Sequence, residues 1–287
     1  MESGAVRTEY SIYRGLVAQL MCGEEQLPSL PNLTLEIRRA LSAPEVSLSL
    51  LAGLIGKDPA LSALLMKTAS SVLLRRHLSP KTLLDVLRVV GIAQVDRVTM
   101  IHSIKSLFTL HSPAHKQLYR EAWERLTLKA SLCAFLARRV GHTQPEHALL
   151  ASLLSEVGTL AVLSAFKDEP GIPSPDLYRR LCREYGASLG VILLKKWAVD
   201  EHYVQIIREA GDWTLQHGRT TELIDLVNLS LFHARKRLDA DPELPALSSL
   251  AAYRKLLPPL DSIDDDGELT LVASHRDEIR AIADSLR

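Results

Sequence analysis

The amino-acid sequence predicts an all-α protein, a multi-helix bundle, and three observations carry that expectation. Apolar residues recur at helical spacing almost throughout, as in Leu61, Leu64, Leu65, Ala69 and Val72, and again in Leu128, Leu132, Phe135 and Leu136. Helix starts are marked by a capping oxygen followed by proline at Asp58-Pro59, Ser79-Pro80 and Ser112-Pro113. The side-chain acceptor satisfies an orphan amide there, and proline at the first helical position loses nothing by lacking its N–H. No alternating strand pattern competes, apart from the short stretch Glu268 to Val272.

Taken in order, these signals place helices near 8–22, 31–43 and 47–56, then near 59–76 behind Asp58-Pro59 and near 80–90 behind Ser79-Pro80. Gly91 reads as a helix C-terminal glycine, and the next helix runs near 92–108. Ser112-Pro113 opens a long helix near 113–140, which Gly141 ends, and Pro145 opens one near 146–166. Pro175 opens a helix near 175–185, followed by helices near 188–197, 201–211, 220–237 and 272–286. Breaks fall at His111-Ser112-Pro113 and from Asp239 to Pro245, and Asp264-Asp265-Asp266-Gly267 reads as an acidic surface loop. This organises the chain as an N-terminal helical subdomain (1–111), a helical core (112–237) and a C-terminal extension packing on that core (238–287). Helix content is expected to exceed about 60%, well above the globular average.

The chain's 287 residues are 47% hydrophobic, enough for a sizeable core. Lys plus Arg equals Asp plus Glu at 34 each, so the net charge is zero. A nucleic-acid binder that grips phosphates usually shows a basic excess or stripe, and none is expected here. The short basic clusters Arg75-Arg76, Arg138-Arg139, Arg179-Arg180 and Lys195-Lys196 each flank an apolar periodic stretch and read as solvated helix faces. Cys22, Cys133 and Cys182 are far apart and form neither a disulfide framework nor a metal-binding pair. Neither a signal peptide nor a run of roughly 18 uncharged apolar residues is apparent, so a cytoplasmic, non-membrane protein is expected. The sequons at Asn32 and Asn228 then carry no meaning.

One segment stands apart. From Ala148 to Phe166 the chain is apolar nearly all round, as in a helix buried inside a bundle, and Glu156 is its one charged residue. A carboxylate there is costly unless it is paired, neutralised or functional. Familiar catalytic patterns are missing. None of the ten histidines is followed by Asp or Glu. His111 and His115 are separated by Pro113, as His142 and His147 are by Pro145, so neither pair shares a helical face. Gly186-Ala187-Ser188-Leu189-Gly190 has the spacing of a nucleophile elbow, but that motif needs a strand before it, and Asp176 to Tyr185 is helical in period. Small residues at Gly186 and Gly190 instead permit close helix approach. No phosphate-cradling glycine loop is present.

Several stretches together resemble the HDOD family. Leu27 to Ser71 (LPSLPNLTLEIRRALSAPEVSLSLLAGLIGKDPALSALLMKTASS) has its Leu-Pro-x-Leu-Pro opening, acidic-Ser-Leu turn and Lys-Asp-Pro-Ala-Leu helix start. Ser79 to Phe108 with Val-Val-Gly-Ile at 89–92, Trp123-Glu124, LLSEVGTL at 153–160 and SLGVILLKKWAV at 188–199 also fit. The resemblance covers roughly residues 24–237. It implies a bacterial all-α signalling domain with a core like that of HD phosphohydrolases, which hold metal with histidines and a His-Asp doublet and use it to activate water.

At the positions where those enzymes carry ligands, this chain has other residues. The first histidine is replaced by Arg125, the His-Asp doublet by Ser155-Glu156 and the later histidine by Gly186, and the His-His pair falls near Ala210-Gly211. A guanidinium and a hydroxyl are poor ligands for a divalent ion, and one carboxylate cannot hold it. The resemblance therefore implies a regulatory module without catalytic residues, metal or cofactor, acting through protein partners. Two alternatives stay open: a metal-dependent phosphohydrolase with shifted ligands, and a small-ligand (nucleotide) sensor using the remnant cleft. An ion pair between Arg125 and Glu156 is expected to stand where the metal would be.

Overall fold

A computed structural model describes residues 9–23, 27–73, 82–109, 113–166, 169, 171, 173–239 and 244–286. Among these, 71% are helical, and the one β-type feature is an isolated bridge between Ile263 and Leu269. The chain is all-α. The Glu268 to Val272 stretch makes no strand, because Thr270 already opens a helix.

The chain divides into two compact units, Ser29–Leu107 and the remainder, Met1–Pro28 with Phe108–Arg287. Helices α2 (Asn32–Leu41), α3 (Leu48–Ile55), α4 (Pro59–Leu73), α5 (Leu83–Val90) and α6 (Ile92–Thr109) build the first. Their starts are local chemistry. Ser47 accepts from the Leu50 amide, and Asp58 accepts from the amides of Ala60 and Leu61 at 2.9 and 3.0 Å. Thr82 and Asp85 form a reciprocal capping box. Gly91 ends α5 at φ +81°, a conformation that favours glycine. Ile37, Leu51, Ile55, Leu61, Leu65, Val86, Leu87 and Val95 form this unit's core. The expected caps Ser79 and Ser112 lie outside the described residues.

The larger unit holds α1 (Glu9–Cys22), α7 (Pro113–Val140), α8 (Pro145–Leu154), α9 (Gly158–Ser164), α10 (Pro175–Lys196), α11 (Glu201–Glu209), α12 (Leu223–Ala234), α13 (Thr270–Ser274) and α14 (Arg276–Asp284). Helix α7 is about 42 Å long, and between Leu126 and Ala137 nearly every side chain is buried. It packs against α8, α12 and α14. Leu247, Leu250, Leu256, Leu269, Val272 and Ile279, all C-terminal to α12, join Leu132, Phe135, Leu136, Val227 and Phe232 in one apolar core. The C-terminal extension is thus part of the bundle.

Three sequence expectations are corrected. First, residues 1–28 group with the larger unit and not with an N-terminal subdomain ending at 111. Tyr13 stacks edge-on against Phe166, and Arg180 lies 4.0 Å over the Tyr10 ring. The carbonyls of Leu27 and Pro28 accept from Lys196 and the Trp197 indole at the end of α10. Second, the helix expected over 146–166 breaks at Ser155, Glu156 and Val157, which form a turn between α8 and α9. Third, the helices expected over 175–185 and 188–197 are one, α10, capped by Ser174. Pro145–Ser164 has the length and hydropathy of a membrane span, but 78% of its apolar 18-residue window is buried inside the bundle.

The glycines explain the last two corrections. A Cβ on Gly158 would lie 1.8 Å from the Gly186 carbonyl oxygen and 2.8 Å from the Gly190 nitrogen. Backbone meets backbone where α9 crosses α10, so these glycines mark a close approach and not a helix end.

Candidate functional site

Four residues singled out from the sequence, Arg125, Ser155, Glu156 and Gly186, line one cavity of about 190 Å3 in the larger unit. Arg125 comes from α7, Ser155 and Glu156 from the turn between α8 and α9, and Gly186 from α10; Arg235, just past α12, completes the ring. The turn is what makes the site. It takes Glu156 off the apolar helix and presents it to the cavity, with its side chain one-third exposed.

The cation 2.6 Å from Glu156 is Lys129, one helical turn beyond the Arg125 named from the sequence. Lys129 is 1% exposed and belongs to the buried face of α7. Its ammonium also donates to the Ser155 hydroxyl at 2.9 Å, which donates onward to the Ser152 carbonyl at 2.8 Å. Arg125 lines the same space, and its charge acts on Glu156 behind those of Lys129 and Arg235. Burial alone would raise the Glu156 pKa. The charge and hydrogen bond of Lys129, then Arg235 and Arg125, bring it below the ordinary carboxylate value instead. Burial lowers the Lys129 pKa, and Glu156 opposes that shift.

Other lining groups were not legible in advance. Burial pushes the Cys182 thiol up to about 12, so it stays protonated and a poor nucleophile. Burial likewise holds the Tyr178 hydroxyl well above its ordinary range. The Thr159 hydroxyl is engaged with the Glu156 carbonyl at 2.8 Å. Arg179, read as part of a solvated face, lines the cavity while pairing with Asp176. Ser188 sits mid-helix in α10 and is exposed, with no strand before it, so the nucleophile-elbow geometry does not arise.

The donor set does not fit a divalent metal. Among the described residues, the lining contains one carboxylate, no imidazole and a protonated thiol, facing an ammonium and four guanidinium groups. Among the described residues no group of three or more His, Cys, Asp or Glu could hold an ion.

Comparisons place this geometry in a family. A protein from Shewanella amazonensis SB2B, a candidate metal-dependent phosphohydrolase, has a solved structure that is 22% identical, with a TM-score of 0.71 over 95% of this chain and 100% of that one. An HDOD domain protein of unknown function from Geobacter sulfurreducens is 20% identical, with a TM-score of 0.62 over 97% of this chain and 98% of its own. A candidate signal transduction protein from Marinobacter aquaeolei VT8 is 16% identical, with a TM-score of 0.54 over 98% of this chain and 67% of its own. An uncharacterized protein from Treponema pallidum (strain Nichols) is 25% identical over 211 residues, 67% of this chain. The chain spans 39% of that curated relative's length. Residues 27–212 match the HDOD domain, and the chain belongs to the HDOD family.

Proposed function

We propose that this protein is a non-catalytic signal-transduction module of the cytoplasm, which works through protein partners and in which a Lys129–Glu156 pair stands in place of a metal centre. The observation that carries this reading is the buried ammonium. Lys129 places a fixed positive charge against Glu156 and Ser155, the two residues at the doublet position. A divalent cation in the same space would face that ammonium and the guanidinium groups of Arg125 and Arg235 across one carboxylate. The kinship with a candidate signal transduction protein favours a regulatory role in fold terms.

The test is direct. Protein purified without chelator should contain no stoichiometric Zn, Mn or Fe by elemental analysis. It should also fail to hydrolyse phosphomonoesters, nucleotides or cyclic dinucleotides with Mn added. One tightly held ion per chain, or turnover that Glu156→Gln abolishes, would overturn the reading.

A further inference from the structure

Among the described residues, the cavity is lined by Arg125, Lys129, Arg179, Arg183 and Arg235 and by one carboxylate, Glu156. Lys129 is held by Glu156, and Arg179 by Asp176. Arg183 is exposed and makes no ion pair among the described residues. Converging like charges repel, and a bound anion relieves that repulsion. The hydroxyls have no proton left to offer an anion. Those of Ser155, Thr159 and Tyr178 donate to the carbonyls of Ser152, Glu156 and Thr159. Recognition would therefore fall to the guanidinium forks, whose planar donors match phosphate oxygens two at a time. A volume of about 190 Å3 is enough to admit a phosphoryl or diphosphoryl group.

We propose that this cavity binds a compact phosphate-bearing anion, held by Arg183 and Arg235 and competing with Glu156 for Lys129. The proposal rests on the cavity being free of a divalent metal. Such an anion would bridge α7, α10 and the end of α12, tying ligand occupancy to the packing of the bundle.

Titration calorimetry on the chelator-treated full chain, with inorganic phosphate, pyrophosphate and AMP in turn, tests it, with metal content measured on the same samples. Saturable binding that weakens with added salt is expected. Tightest binding of phosphate or pyrophosphate would identify a free anion, and tightest binding of AMP the phosphoryl end of a nucleotide. Arg183→Gln should weaken binding about tenfold, the loss of one charged hydrogen bond, with an unchanged circular dichroism spectrum. Glu156→Gln should tighten binding, because it removes the competing carboxylate. No saturable binding in metal-free protein, or full affinity in the folded Arg183→Gln variant, would overturn this proposal alone. A tightly held metal whose removal abolishes phosphate binding would overturn the functional reading with it.

Discussion

Two buried lysine–carboxylate pairs in the larger unit have similar distances and different surroundings. Lys255 meets Asp225 at 2.8 Å, with side chains 8% and 4% exposed. Asp225 also accepts from the Glu222 amide at 2.7 Å as half of a capping box at the start of α12, and Lys255 donates to the His217 carbonyl. That pair is a closed staple with backbone partners on both sides. Lys129 and Glu156 make the shorter contact at 2.6 Å, but Glu156 faces a cavity and is one-third exposed while Lys129 is sealed. The same chemistry serves as structure in one place and leaves an open charge in the other. Burial tells less than whether each remaining lone pair and proton has a protein partner.

The sharpest way to break this comparison is to remove Glu156. Glu156→Leu strands the fully buried Lys129 and should destabilise the protein by roughly 3–5 kcal/mol in urea denaturation. The double variant Lys129→Met/Glu156→Leu should recover much of that loss. Additive effects in this cycle would mean that the pair is not coupled.

A buried group with no partner extends the series. His233 is 0% exposed, and neither ring nitrogen has a hydrogen-bond partner among the described residues. Burial lowers its pKa from 6.5 to about 4, with Glu268 opposing. Its folded pKa is depressed, so below 6.5 the unfolded chain takes up a proton that the folded chain refuses. Stability should therefore fall between pH 6.5 and about 4, by about 3 kcal/mol in all. Glu156 adds to the acid limb at lower pH: its folded pKa is depressed, so its contribution is present above its ordinary value and lost as pH falls through the folded one. His233→Leu should flatten the upper part of this profile in thermal melts across pH. An unchanged profile would show that His233 is not its source.

The smallest effect belongs to the closed pair. Lys255→Met leaves Asp225 with the Glu222 amide and the N-terminus of α12, both of which favour an anion. A loss of about 1–2 kcal/mol is expected by the same denaturation assay. A loss equal to that of Glu156→Leu would erase the distinction drawn here.

Much of the helical order was legible because its punctuation is local. Pro113 and Gly141 bracket α7, and Asp58-Pro59 opens α4 with the expected cap. The turn at Ser155 to Val157 was not legible, because a segment that is apolar all round shows no change of face when the chain bends. Gly186 and Gly190 were legible as points of close helix approach, but their partner, the backbone at Gly158, was not. At the site, Glu156 betrayed itself as a charge in an apolar run. Lys129 did not, since a lysine on an amphipathic helix ordinarily reaches water. Its one signal was its place a turn beyond Arg125, amid small and apolar residues.

The contact between Gly158 and Gly186 acts as a spacer of zero thickness. Gly186 both lines the cavity and meets Gly158 through its carbonyl, so the spacing of α9 and α10 there depends on Gly158 having no side chain. Any methyl group added at Gly158 must push α10 outward and carry Arg183, three residues before Gly186, with it. The spacing of the guanidinium groups in this cavity is therefore tied to a residue that lines none of it.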